Sequence, residues 1–252
     1  MKDDRRKQMA AYIAKHQTVT MAELCNEFKV SINTVRTDVA TLTKTGVVEK
    51  VYGGVCSTMQ QEVPMFTQRT RIHPDSKFSI ARAAVEQIQD GDTLFIDAGT
   101  TTMHMMGLLP MERHVTIITA NLHIISQAYT HPNAEIIVLP GAINRRTNSM
   151  ADITTLEFLG RCHFAKAFVA TTGLSKDGSL NVKKFLEYEI KRLAIAQSEK
   201  KYLLCDSSKF GYSSLMSYAK LTDMDALITD ENCPEELKQL CAAADTELII
   251  AR

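Results

Sequence analysis

The chain has 252 residues, of which 45% are hydrophobic and 23% charged, with no tryptophan. No stretch approaches the ~18 consecutive apolar residues of a membrane span, and Met1–Lys7 runs into an amphipathic segment, which argues against a secretory leader. Lys plus Arg and Asp plus Glu balance at 29 each, yet residues 1–60 hold nine of the former against six of the latter, a basic segment ahead of a slightly acidic body. That asymmetry permits a nucleic-acid partner without requiring one. Six cysteines, at 25, 56, 162, 205, 233 and 241, are scattered with no C-x-x-C and no histidine at ligand spacing. They read as reduced thiols of a cytoplasmic protein, with neither a disulfide framework nor a metal site, and no cofactor is expected.

Residues 1–57 read as three helices and a hairpin. The first helix runs from about Asp4 to Lys15, with Met9, Tyr12 and Ile13 on one face. Thr20-Met21-Ala22-Glu23 is a capping-box pattern and opens a second helix carrying Leu24, Cys25 and Phe28. Ser31 is a natural N-cap for a third helix, in which Ile32, Val35, Val39 and Leu42 form one apolar stripe. Its other face is Asn33, Thr34, Arg36, Thr37, Thr41 and Lys44, and Gly46 ends it. Val47–Tyr52 then reads as a strand, with Gly53-Gly54 as a hairpin tip. Two helices joined by a short turn and followed by a β-wing form a winged helix-turn-helix. The polar face suits the major groove, where Asn and Arg pair bidentately with base edges. Ser31, Asn33, Thr34, Arg36, Thr37, Lys44, Lys50, Tyr52 and Gly53 are the candidate DNA-contacting residues. A solvated polar face, or a protein-docking module, fits the same pattern.

Residues 58–75 are polar, Pro-punctuated and poorly periodic, and read as a linker. From residue 76 to 252 strands alternate with helices: a helix at Lys77–Gln89, a strand at Thr93–Ile96, then strands at Val115–Thr119 and Glu135–Leu139 around a helix at Asn121–Tyr129. A helix at Ile153–Leu159 precedes a strand at Ala167–Ala170. A helix at Phe185–Gln197 precedes strands at Tyr202–Cys205 and Ala226–Thr229. A helix at Pro234–Ala243 and a strand at Glu247–Ile250 close the chain. This alternation predicts an α/β domain with a mostly parallel sheet covered on both faces.

The stretch Asp97-Ala98-Gly99-Thr100-Thr101-Thr102 follows a buried-type strand and precedes a short helix at Met103–Leu109. A glycine, consecutive hydroxyls and a helix start are the parts of an anion cradle, although a Thr-rich N-cap uses the same residues. In a parallel sheet ligands bind beyond the carboxyl ends of the strands. The other predicted ends carry Asn121, Gly141, Thr172-Gly173 and Asp206-Ser207-Ser208-Lys209. The candidate ligand set is therefore Asp97, Gly99, Thr100, Thr101, Thr102, Asn121, Gly141, Thr172, Gly173 and Lys209, a chemistry suited to a polyol bearing a phosphate. Met103, Met105 and Met106 read as core or pocket lining. Of seven histidines only His104, one turn into that helix, stands near the site.

Taken together these residues resemble the DeoR-type bacterial transcriptional regulators along almost the whole chain. The first domain carries the likeness through Ser31-Ile32-Asn33-Thr34-Val35-Arg36-Thr37-Asp38, Gly46 and Lys50-Val51-Tyr52-Gly53-Gly54. The family usually has arginine at the place of Thr37, and arginine and histidine at those of Lys50 and Tyr52. The second domain carries it through Asp97-x-Gly99-Thr100-Thr101, Thr119-x-Asn121 and Asp206-Ser207-Ser208-Lys209-Phe210-Gly211, with a family glycine pair reduced to Pro140-Gly141. The resemblance implies a cytoplasmic repressor of a carbohydrate-utilisation operon, a homodimer or larger, with operator DNA and a phosphorylated sugar as partners and no membrane. It also implies a C-terminal domain similar to sugar-phosphate isomerases, whose acidic base and lysine have Asp97, Asp177, Glu187 and Lys209 as candidates in type. An isomerase-like or deaminase-like enzyme with an appended DNA-binding module is the competing expectation, and a structural adaptor a third.

Overall fold

The structure is a computed structural model that describes residues 2–16, 18–51, 54–57 and 64–252. It separates into two compact units, Met1–Pro64 and Met65–Arg252.

In the first unit α1 (Lys2–His16) leads through a short strand β1 (Thr18–Thr20) into α2 (Met21–Phe28). The capping box at Thr20 forms as its sequence predicts: the Thr20 N–H donates to Glu23 Oε2 at 2.6 Å and Thr20 Oγ1 accepts from Glu23 N at 3.1 Å. Lys29, at φ 49°, makes the left-handed turn into α3 (Ile32–Lys44). Then β2 (Val48–Val51) pairs with β3 (Gly54–Ser57), which pairs on its other side with β1, so the wing is three-stranded. The third strand lies outside the sequence expectation because three residues are too few to show a period of two. Met9, Ile13, Leu24, Val35, Val39, Leu42, Val48 and Val55 form the core. Ile32, expected on the apolar stripe of α3, is 39% exposed because it sits at the helix start, before the stripe turns inward. A polar contact joins two of the helices. Asp38 of α3 is buried and accepts from Arg5 Nε at 2.7 Å and Arg6 Nε at 2.8 Å, tying α3 to α1.

The second unit opens with α4 (Phe66–Arg69), inside the stretch expected to be linker. Phe66 is buried and its N–H donates to Arg146 O. Lys77, buried near the start of α5 (Pro74–Val85), donates to the carbonyl of Arg69, the last residue of α4, at 2.5 Å and to that of Ile72, in the turn beyond it, at 2.6 Å. Next come β4 (Thr93–Ile96), a 3₁₀ turn at Thr102–His104, α6 (Met105–Leu108), β5 (Val115–Thr119), α7 (Leu122–Ala128) and β6 (Ala134–Val138). A small hairpin, β7 (Ile143–Asn144) with β8 (Ser149–Met150), precedes α8 (Ile153–Leu159) and β9 (Phe164–Ala170). After β10 (Gly173–Leu174), β11 (Ser179–Val182), α9 (Phe185–Ala196), β12 (Ser198–Leu204) and β13 (Met216–Lys220), the chain ends through β14 (Ala226–Asp230), α10 (Glu235–Ala243) and β15 (Glu247–Ala251).

Seven strands form one sheet, ordered β15-β14-β12-β9-β4-β5-β6, and every pairing in it is parallel. Residues alternate across it. Phe95, Val169, Leu203 and Leu227 face one core with α8, α9 and α10, whereas Leu94, Ile96, Phe168, Leu204 and Ile228 face the other with α5, α6 and α7. Each such side chain contributes about 1.5–3 kcal/mol on burial. The antiparallel set β10-β11-β13 escaped the sequence reading; it caps the first of these cores with Leu174, Leu180, Val182 and Tyr218.

The Asp38 contact generates a prediction for the first unit. Burial pushes this carboxyl up, but the hydrogen bonds and charges of Arg5 and Arg6 outweigh it, leaving the pKa below the usual value. Its stabilisation is therefore complete above the unfolded-state value of ~3.9 and is lost as pH falls through the lower folded-state value. Asp38→Asn is expected to cost about 1–3 kcal/mol in this unit and to flatten its acid-unfolding profile, read by circular dichroism against pH.

Candidate functional site

Strand order and chain order together locate the site. From β4 the chain moves outward to β5 and β6, whereas from β9 it moves the other way to β12, β14 and β15. The two runs part between β4 and β9, and this switch point leaves a crevice beyond the carboxyl ends of those strands. Asp97 follows β4 directly. Its Oδ2 accepts from the Ala170 N–H at 3.1 Å and from Lys191 Nζ, and Lys191 Nζ also donates to Ala170 O at 2.8 Å. Both side chains are buried. The carboxylate of one strand end, the backbone of the next and a lysine of α9 are thus one unit. Gly99 must be glycine here, since a Cβ on it would lie 2.7 Å from Ala170 Cβ.

A cavity of about 110 Å³ opens beside this unit. Its charged lining comprises Arg69, Lys184, Lys191 and Lys209 against Asp97 and Glu187. Thr100, Thr147, Ser149, Thr171, Thr172 and Asn144 supply hydroxyls and an amide. The Arg69 Nε is buried with no hydrogen-bond partner among the described residues. Burial pulls the Arg69 pKa down, opposed by the charges of Glu187 and Asp97. Burial likewise pushes the Glu187 carboxyl up, against the pull of Lys191 and Arg69. Lys209 stands 3.6 Å from Asp206, and burial beside Lys209 and Arg69 brings Lys77 down to about 8.

Of the residues expected to meet a ligand, Asp97, Gly99, Thr100, Thr172 and Lys209 line this cavity. Thr101, Thr102, Asn121, Gly141 and Gly173 are not part of its lining. Thr102 Oγ1 donates to Asp97 O at 2.6 Å and accepts from Gly99 N at 3.0 Å, knitting the loop from within. Asn121 Nδ2 donates to Gly99 O at 3.3 Å, while its Oδ1 accepts from His123 N and caps α7. Gly141 and Gly173 are sites of close approach: a Cβ would fall 2.4 Å from Ala151 C and 2.3 Å from Tyr212 O respectively. The helix expected after the loop is a 3₁₀ turn followed by the single turn α6, because Thr102 binds back into the loop and leaves the start tightly wound. Asp177 is exposed, accepts from Ser179 N at 3.1 Å and lies outside the lining. His104 Nε2 is buried without a partner among the described residues, its ring edge-on to Phe78, and Met105 and Met106 are core.

Lys191, Lys184 and Arg69 were missed by the sequence reading. A signal existed for the first. Lys191 lies four residues after Glu187 and three before Ala194, within the buried stripe of α9, where a lysine needs a partner. Arg69 had no such signal, since it stands in a stretch that reads as linker.

In the first unit Asn33, Arg36, Thr37, Lys44 and Lys50 are exposed, as the reading face requires. Ser31 Oγ accepts from Thr34 N at 3.3 Å and so caps α3, while Thr37 Oγ1 donates to Asn33 O at 2.9 Å. Tyr52 and Gly53 lie outside the described residues.

With both sites described, the comparisons decide the family. The DeoR-like helix-turn-helix domain matches residues 5–61, and the DeoR C terminal sensor domain matches residues 72–231. The chain belongs to the DeoR family of DNA-binding transcriptional regulators. The HTH-type transcriptional regulator IolR of Bacillus subtilis is 39% identical over 241 residues, 96% of each chain. A lactose phosphotransferase system repressor of Staphylococcus epidermidis is 30% identical over 244 residues, 95% of this chain and 96% of that one. A ribose 5 phosphate isomerase A from Neisseria gonorrhoeae superposes over 55% of this chain and 54% of its own, at 13% identity and a TM-score of 0.40. No described helix of this DeoR-family chain is long and apolar enough to cross a membrane.

The Asp97–Lys191 pair is expected to be costly to halve. Lys191→Met leaves a buried carboxylate with a single backbone donor and should cost about 3–5 kcal/mol. The double variant Asp97→Asn/Lys191→Met should regain part of that, read as midpoints of urea denaturation of the full chain.

Proposed function

We propose that this DeoR-family chain is a cytoplasmic repressor of a carbohydrate-utilisation operon, controlled by a phosphorylated sugar held at the switch point of its sheet. The observation that carries the reading is the lining of the cavity. Four cations face two carboxylates there, with hydroxyls between them. One of the cations, Arg69, has a buried N–H without a hydrogen-bond acceptor among the described residues. A buried donor of this kind costs about 1–3 kcal/mol unless something accepts from it. A phosphate supplies acceptor oxygens in the geometry a guanidinium matches. Hydroxyls and carboxylates beside it suit a polyol. The name of the Staphylococcus epidermidis relative supports a carbohydrate operon as the target.

In this reading α3 enters the major groove, with Asn33 and Arg36 on base edges and Lys44, Lys50 and the cap at Ser31 on phosphates. Tyr52 and Gly53, which lie outside the described residues, keep their sequence-based expectation of a DNA contact. The protein acts as a homodimer or larger assembly, so that two heads meet two half-sites. It senses its ligand without turning it over: Lys191 is committed to Asp97 and Ala170 O, which leaves the carboxylate poorly placed to take a proton from a substrate.

A thermal-shift screen of the full chain against aldose and ketose phosphates tests the effector reading. A true effector at 100-fold its dissociation constant adds ~2.7 kcal/mol of stability. Thr100→Asp places a carboxylate on the cavity wall, where Thr100 is buried, and is expected to abolish that shift while leaving operator affinity near wild type. Normal ligand uptake by this variant would remove the phosphate from this loop. For the head, Arg36→Ala should cost ~1–3 kcal/mol and relax preference at one operator position if Arg36 reads a base. A uniform loss on all sequences with a smaller salt slope would reassign it to phosphate.

A further inference from the structure

Two opposite charges stand apart on the wall of the same cavity. Arg69 and Glu187 both line it, yet no ion pair within 4.0 Å joins them. Arg69 rests over the Phe66 ring at 5.8 Å and leaves its Nε unpartnered. Glu187 sits on α9 between Lys184 and Lys191, three residues after one and four before the other. Lys191 acts on it through charge alone, since the hydrogen bonds of that ammonium go to Asp97 and Ala170 O. Among the described residues the Glu187 carboxyl has neither a hydrogen bond nor an ion pair.

A carboxyl in this place works against anion binding, because it adds negative charge to the wall that a phosphate must approach. It is also costly to bury, and burial accordingly pushes it toward its neutral form. The charges of Lys191, Arg69 and Lys184 offset that burial only in part, and no hydrogen bond from the described residues adds to them. The groups that would offset it are neutral hydrogen-bond donors arriving with a ligand, and a sugar carries a row of them. A site built to hydrogen-bond a hydroxyl rejects the analogue that lacks it far more strongly than an apolar pocket does, because its own polar group is then left unpaired.

We propose that Glu187 is the specificity residue of the effector site: its carboxyl group binds sugar hydroxyls, while Arg69 takes the phosphate. The assignment rests on the effector reading given above. It divides the cavity chemically, with the cations recognising that the ligand is phosphorylated and Glu187 recognising that it is a polyol. Inorganic phosphate has the first property and lacks the second: a charged Glu187 repels it, and it brings no polyol hydroxyls for that carboxyl to bind.

This gives the two ligand classes opposite responses to one substitution. Calorimetric titration of the full chain would use inorganic phosphate, glycerol 3-phosphate, ribose 5-phosphate, fructose 1-phosphate and fructose 6-phosphate, on wild type, Glu187→Gln and Glu187→Ala. For the tightest sugar phosphate, Glu187→Ala is expected to lose at least ~10-fold in affinity and Glu187→Gln to lose less, since the amide keeps one acceptor. Inorganic phosphate is expected to bind both variants as well as wild type or better. Unchanged sugar-phosphate affinity in Glu187→Ala would overturn the assignment. So would an equal loss for both ligand classes, which is what a merely structural residue would give. Failure of both variants to fold would likewise make Glu187 a stability residue and overturn it. Absence of binding to wild type by every phosphate would instead overturn the effector reading itself, and this assignment with it.

Discussion

The contact of Asp97 with Lys191 and the Ala170 backbone is the constraint on which the second unit depends. A doubly wound parallel sheet has one place where consecutive strands diverge, and the backbone there has no crossover helix to cover it. In this chain the gap between β4 and β9 is spanned by a carboxylate that accepts from the Ala170 N–H and by an ammonium that donates to the Ala170 carbonyl. A buried ion pair is by itself weak evidence of stability, since desolvating two charges costs about as much as their attraction returns. What changes the balance is that both partners also bond the backbone of the same residue, Ala170. The pair therefore fixes position, and the position it fixes is the floor of the cavity.

From that floor the division of labour among the loop residues follows. Thr102 turns inward to hold Asp97 O and Gly99, and Asn121 braces the same carbonyl of Gly99 from α7. With those roles filled from within, Thr100 is left to face the cavity. The wall opposite in charge is organised in a similar way. Arg69 belongs to a helix of a single turn, which cannot be stable alone. It is held by Lys77, whose ammonium binds the carbonyl of its last residue, Arg69, and that of Ile72 in the turn beyond, and whose pKa is brought to about 8 by burial beside other cations. Lys77 thereby joins the Arg69 segment to α5.

The architecture was legible in the sequence wherever a period lasted long enough to be counted. Strands β4, β5 and β14 and helices α3, α8 and α9 stand within a few residues of their apolar patterns, and the Thr20–Glu23 box formed as written. What escaped were β1, β10 and the one-turn α4, too short to have a period, and with β10 the strands β11 and β13 of its antiparallel set. The site was legible in the same measure. Motif residues directly after strand ends, such as Asp97, Thr100 and Lys209, came to the cavity, because the carboxyl edge of a parallel sheet puts them there. Asn121, Gly141 and Gly173 share that address but serve the backbone, a distinction that a residue type does not carry. Arg69 and Lys184 reach the cavity from other elements altogether, and only the fold brings them in.

Charge shows the same limit from another side. The chain is neutral overall, which from composition alone says nothing about an anionic ligand. Yet electrostatic recognition is decided within a Debye length of about 8–10 Å, and in a dry cavity by still nearer groups. Within the cavity four cations meet two carboxylates, and one carboxylate is already consumed by Lys191. The carboxylate that remains, Glu187, is the one whose presence a purely anion-binding site would select against. On the proposed assignment, a ligand that brings hydroxyls as well as charge gives this carboxyl its partners. In the proposed reading the local surplus recognises a phosphate, and the local exception to that surplus recognises the sugar attached to it.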